Sequence, residues 1–370
     1  MTFDSRARAA VLDIHRAVEV MEMTRLTKEP RTVERFDRFR DRKQRNRRIG
    51  AILVAGVLAI ATIVVVSANM VGKDEEGIPA APGAIEGRIL FEVYEGGNGQ
   101  YLFTMDAAGG PAEDLGVFTD PGAHWSPDGT RILVASLAGP PETATPVRPA
   151  TVASDGSDFV LLDGVQDRGL NLGCSVFSPD GTRLACQGYD TLGAAAGVYT
   201  VRAADGGGLR ALTDVEGFPG DYSPDGEQIV FVGEDADAGS TSDEAGTLFV
   251  VGSDGTNLRE ITEPNTVFAF TYAAWSPDGE WIVFIGADGT LGLVHPDGSE
   301  QHRVPLGSDV AIDGVTAGAS WSPDGAWIAF SARPAGGDNP DLYVVRPDGS
   351  ELQQVTDTPD VAEFQPDWTA

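Results

Sequence analysis

One short motif recurs along the chain: an aromatic residue followed by Ser-Pro-Asp-Gly. It stands at Trp125–Gly129, Phe177–Gly181, Tyr222–Gly226, Trp275–Gly279 and Trp321–Gly325, and a degraded form, Phe-Gln-Pro-Asp-Trp, occupies 364–368. The Ser or Gln falls at 126, 178, 223, 276, 322 and 365, giving spacings of 52, 45, 53, 46 and 43 residues. Such periods suit a four-stranded antiparallel unit of the kind that forms one propeller blade. A unit this small cannot bury its own apolar faces, so its copies must stack on one another.

The letters of the motif are turn chemistry. Proline presets φ at about −65°, Asp hydrogen-bonds its own backbone, and Gly accepts the positive φ that closes a hairpin. The turn aspartates therefore read as turn formers rather than metal ligands. The preceding aromatics (Trp125, Phe177, Tyr222, Trp275, Trp321 and Phe364) are expected to fill the space between neighbouring sheets. Three positions before each Ser or Gln stand Ala123, Ser175, Gly220, Ala273, Ala319 and Ala362, all small, as strands converging on an axis require. An apolar run follows each turn, as in "RILVAS" (131–136) and "WIVFIG" (281–286), and a second strand then leads to another Asp-Gly turn.

The first unit, 87–120, has three strands and no aromatic-SPDG lead, whereas the last residues, 363–368, are a lead strand without a unit. Joined, they complete one blade and close a ring of six, leaving no open sheet edge between the chain ends. Residues 321–356, "WSPDGAWIAFSARPAGGDNPDLYVVRPDGSELQQVT", resemble the repeat of the TolB-type six-bladed β-propeller, and the resemblance extends over about 86–370. WD40 repeats fit less well, since no GH…WD pairs occur. The resemblance implies an all-β six-bladed propeller and a role as an interaction partner in the cell envelope; fold by itself does not dictate function.

Charge divides the chain. Residues 1–48 hold 14 Lys/Arg and 8 Asp/Glu, while the rest holds 12 basic and 48 acidic residues. So acidic a body repels phosphate and excludes nucleic acid as a partner. No lysine follows Lys73, which removes Schiff-base and P-loop chemistry. Between the two parts, residues 49–72 form 24 positions without a charge, enough for a helix to cross a bilayer. "RDRKQRNRR" (40–48) precedes this span, so the positive-inside rule places residues 1–48 in the cytoplasm and the propeller outside. The expected organisation is a basic helical cytoplasmic segment (1–48), a transmembrane signal anchor (49–72), a linker (73–86) and the propeller (87–370). Within 1–48, Ala7, Val11, Ile14, Val18 and Met21 mark one helical stripe that can rest on lipid or hold a cytoplasmic partner.

Catalytic signatures are missing: no GxSxG elbow, HExxH or P-loop occurs. Residues 234–244 resemble a calcium loop only at Asp235 and Asp237, and read as an acidic insertion. His295 and His302 flank an outer hairpin as exposed polar residues. His124 is placed on an innermost strand, and the same register gives Val176, Asp221, Ala274, Ser320 and Glu363. His124, Asp221, Ser320 and Glu363 are thus the candidate lining of a central channel, where propellers bind ligands. Cys174 and Cys186 flank one hairpin symmetrically and are placed for a disulfide, with two buried thiols as the alternative. No cofactor or metal is expected. The leading functional reading is a non-enzymatic platform that binds an envelope protein or wall polymer through propeller loops. The alternatives are a transmembrane sensor working through residues 1–48, and a lyase- or peptidase-like propeller enzyme.

Overall fold

The structure, a computed structural model, describes residues 84–94, 100–136, 148–164, 170–190, 196–233, 245–269, 271–312, 318–358 and 360–370. The cytoplasmic segment, the apolar span, nearly all of the linker and the acidic insertion at 234–244 lie outside the described residues. Among the described residues no helix is long and apolar enough to cross a membrane.

The described residues form six antiparallel blades. Blade 2 comprises the end of Glu113–Trp125, then Arg131–Ser136, Arg148–Ala153 and Val160–Leu161; blade 3 comprises Leu170–Phe177, Arg183–Asp190, Gly197–Arg202 and Arg210–Thr213. Blade 4 is Gly217–Tyr222, Gln228–Gly233, Ala245–Gly252 and Arg259–Glu260; blade 5 is Ala274–Trp275, Ile282–Ile285, Leu291–Val294 and His302–Arg303. Blade 6 is Ala319–Trp321, Ile328–Pro334, Asp341–Val345 and Gln353–Gln354. Blade 1 is assembled from the two ends of the propeller: Ala362–Thr369 pairs with Arg88–Tyr94, which pairs with Gln100–Asp106, which in turn pairs with the start of Glu113–Trp125. Blades 1 and 2 share that 13-residue strand, so they run together as one seven-stranded sheet.

The apolar runs are buried on both sides because each blade is sandwiched between two others. Successive strand residues point to opposite faces. Accordingly, Ile132 and Val134 pack with Leu90 and Leu102 of blade 1, while Leu133 packs with Leu172 and Leu184 of blade 3. In blade 4, Ile229 and Phe231 face blade 3, and Val230 and Val232 face blade 5. Six such clusters run round the ring, the closing one joining Ile89, Phe91 and Trp368 to Trp327 and Val344. Each fully buried side chain of this kind contributes about 1.5–3 kcal/mol, so most of the stability resides between blades.

The motif serine has a role that turn propensity does not reveal. The Ser126 hydroxyl donates to Asp128 Oδ1 (2.7 Å) and accepts the Arg131 amide (2.9 Å). Ser178, Ser223, Ser276 and Ser322 repeat both bonds. The hydroxyl thereby closes the hairpin across five residues and fixes the Asp that caps it. The Ser126 hydroxyl, with Thr130, holds the Asp128 carboxyl down at about 2. The turn prolines lean on the following blade: Pro179, Pro224 and Pro277 lie beside Gly226, Gly279 and Gly325.

The expected ring closure is present, but its register corrects one reading. Trp125, Phe177, Tyr222, Trp275 and Trp321 pair with Ile132, Leu184, Ile229, Ile282 and Ile328. In blade 1 the residue paired to the corresponding Ile89 is Trp368, not Phe364, which lies opposite Glu92. The terminal Pro-Asp is therefore no turn. No glycine follows it, so the chain continues as a strand, and Gln365, at φ 47°, sits in a bulge between the partners Leu90 and Glu92. Similar irregularities interrupt the innermost strands of blades 2, 3 and 4.

The innermost strands approach so closely that one glycine is indispensable. A Cβ on Gly220 would lie 2.2 Å from the Ala273 carbonyl oxygen and 2.8 Å from its nitrogen, both backbone atoms that cannot move aside. Gly220→Ala is expected to cost about 3 kcal/mol, read as a lowered denaturant midpoint at unchanged slope. Cys174 and Cys186 stand directly opposite each other, buried, and form a disulfide.

Candidate functional site

The innermost strands converge on a channel whose opening lies on the face of the SPDG turns. It forms a cavity of about 410 Å³, framed by Pro127, Pro179, Pro224, Pro277 and Pro323, with Thr369 and Ala370 where a sixth turn would stand. The four sequence candidates are not all there. His124, Asp221 and Ser320 line the channel with Val176 and Ala274 at the equivalent register, but Glu363 does not. The four-residue shift of the closing strand puts Asp367, paired to Leu90 as His124 is to Leu133, in that position.

Glu363 instead anchors the closing strand to blade 6. Its carboxylate accepts the hydroxyls of Thr356 and Thr358 (2.8 Å for the latter), and its amide donates to the Pro340 carbonyl at 3.0 Å. It is 3% exposed, and burial pushes its carboxyl up to about 7.

The lining carboxylates are fixed by neighbouring blades. Asp367 Oδ2 of blade 1 accepts the Trp125 amide of blade 2 at 2.6 Å, and Asp221 Oδ2 of blade 4 accepts the Trp275 amide of blade 5 at 2.9 Å. Glu92 Oε1 accepts the amides of Gly122 and Ala123, at 2.8 and 3.1 Å. His124 lies between these groups, with Nδ1 3.6 Å from Asp367 Oδ1 and its ring edge-on to Tyr272. Burial would lower the imidazole, yet Asp367, then Asp221 and Glu92, outweigh it and hold His124 above its ordinary value. Burial pushes the Asp221 carboxyl up to about 7, against the Trp275 amide and His124.

Two channel-lining residues, Ser320 and Gln365, 7% and 9% exposed, also carry buried oxygens without a hydrogen-bond partner among the described residues, Ser320 Oγ and Gln365 Oε1. The lining is therefore rich in acceptors held in fixed positions. Among the described residues no group of three or more His, Cys, Asp or Glu is gathered closely enough to hold a metal ion. Gln365, Asp367, Glu92 and Tyr272 were not among the sequence candidates. The signal for Asp367 was present: it precedes Trp368 as His124 precedes Trp125 and Asp221 precedes Tyr222. His295 and His302, expected to be merely exposed, pack on Trp281, His295 stacked at 3.9 Å and His302 edge-on at 5.0 Å.

No family model and no curated protein matches the chain. Among solved structures, the chain is similar to a TolB-assigned protein from Agrobacterium tumefaciens (17% identity, TM-score 0.53), the alignment covering 77% of this chain and 99% of that one. It is also similar to a chain of a nidogen/laminin complex (10% identity, TM-score 0.53), over 76% of this chain and 98% of that one. At such identities the likeness is one of fold: the chain carries an all-β, six-bladed propeller, similar in fold to both of these proteins.

Proposed function

We propose that the chain is a membrane-anchored binding platform: residues 49–72 cross the membrane, residues 1–48 stay in the cytoplasm, and the propeller engages an envelope protein or wall polymer outside. The observation that carries a binding rather than a catalytic role is the state of the channel carboxylates. Asp367 and Asp221, and the buried Glu92 whose charge also acts on His124, each use an oxygen on backbone amides of the ring itself, and the His124 imidazole stands among them. Such an arrangement holds a ligand at fixed acceptors without supplying the paired nucleophile and base of a hydrolase. The resemblance of the repeat to TolB-type propellers, and the occurrence of a similar fold in a nidogen/laminin complex, support a protein partner.

The test is photo-crosslinking in native membranes from probes placed on each propeller face. A single envelope partner captured from one face, and retained when residues 1–40 are deleted, is the expected result. Loss of the partner on that deletion would transfer the function to a cytoplasmic sensor, and capture of nothing from either face would overturn the platform.

A further inference from the structure

The turn-face opening of the channel specifies the chemistry of what it binds. Its lining offers acceptors: the second oxygen of Asp221, Ser320 Oγ and Gln365 Oε1, with Asp367 Oδ1 beside His124. Ser320 and Gln365 are more than nine-tenths buried, and leaving such groups unpaired costs about 1–3 kcal/mol each. A bound donor would recover that cost. The carboxylates are too dispersed for direct metal ligation. A guanidinium, by contrast, spreads five N–H donors over a rigid plane and so suits acceptors dispersed around an opening. The surrounding body, with 48 acidic and 12 basic residues after position 48, steers basic partners toward it.

We propose that this opening receives an arginine side chain presented by a protein partner. The inference rests on the platform reading and names the recognition chemistry of its site. The cation shares the space with His124, Asp221 and Asp367, with Tyr272 against the His124 ring and the charge of the nearby buried Glu92 acting on His124. A cation favours the deprotonated forms of His124 and Asp221. Binding therefore releases protons, and affinity rises with pH through about 7.

The test is calorimetric titration of the full chain in mild detergent with N-acetyl-argininamide, and with N-acetyl-citrullinamide as its uncharged isostere. The arginine derivative should bind at millimolar concentration or below, more tightly at higher pH, and the citrulline derivative should not. Asp221→Asn, which keeps an acceptor for the Trp275 amide, and Ser320→Ala should each weaken binding about tenfold. Equal binding of both derivatives, no binding of either, affinity falling with pH, or unchanged affinity in both variants would overturn the proposal. Capture of a partner from the opposite face would likewise overturn it, while leaving the platform reading intact.

Discussion

A chain ending at Ala362 does not form the propeller: its circular-dichroism melt loses the cooperative transition and the protein aggregates. The deletion strips the innermost strand from blade 1, leaving Arg88–Tyr94 as a free apolar edge that invites intermolecular pairing. It removes Trp368, 7% exposed in the cluster joining blades 1 and 6, whose truncation alone costs about 3–5 kcal/mol. Bonds that tie the ring across blades go too, Asp367 to the Trp125 amide and Glu363 to Thr356 and Thr358, as does the bond within blade 1 from Trp368 Nε1 to the Glu86 carbonyl. Against a domain stability of about 5–15 kcal/mol, these losses leave nothing to sustain the fold. Trp368→Ala in the full chain should keep the fold while lowering the denaturant midpoint markedly. A truncated chain that melts like the parent would show that closure does not depend on this strand.

Thermal stability is expected to be greatest in mildly acidic solution, falling on both sides. On the alkaline side, Asp221 and Glu363 have folded-state carboxyls raised by burial to about 7, far above unfolded values near 4. From about pH 4 to pH 7 the folded state therefore holds more protons than the unfolded one, and stability falls as pH rises. His124 acts in the same direction: its folded value is raised, so its contribution is complete below the unfolded pKa and lost as pH rises through the folded one. Together, after allowing for the partial exposure of the channel groups, these amount to a few kcal/mol at most. On the acid side the signs reverse. Asp128, held at about 2, and Asp180, Asp225 and Asp278, also held down chiefly by their motif serines, stabilise the fold above their unfolded values and lose that contribution as pH falls through the folded ones. The melting temperature should thus rise when pH is lowered from about 8 to about 5, then drop below about 3. Glu363→Gln, already neutral, should flatten the alkaline limb. A melting temperature that is level or increasing from pH 5 to pH 8 would refute this account.

The repeat made the blades legible because turn chemistry is local: Pro, Asp and Gly dictate a hairpin wherever they fall together. The composite blade was legible for the same reason, since three strands without a lead and a lead without strands stand at opposite ends. What the letters hid was register. The Pro-Asp at 366–367 looks like the motif, but without a following glycine it cannot turn, and it aligns four residues away from where its letters suggest. That offset exchanged Glu363 for Asp367 in the channel. His124, Asp221 and Ser320 lie along the channel because their strands carry intact turns that set the period-2 register. Glu92 and Tyr272 carry no motif and come near the site only through long-range packing of blades, while Gln365 stands in the degraded copy whose bulge the letters do not show. The serine's double bond within each turn likewise lies beyond propensity, because it links residues five apart across a hairpin.

Hydrogen–deuterium exchange on the full chain addresses the central claim, that the two ends of the propeller form one blade. If they do, the amides of 362–369 and of 88–94 are protected together, as strongly as those of Gln228–Gly233 in the middle of blade 4. Fast exchange in 362–369, with protection retained elsewhere, would contradict the closed ring.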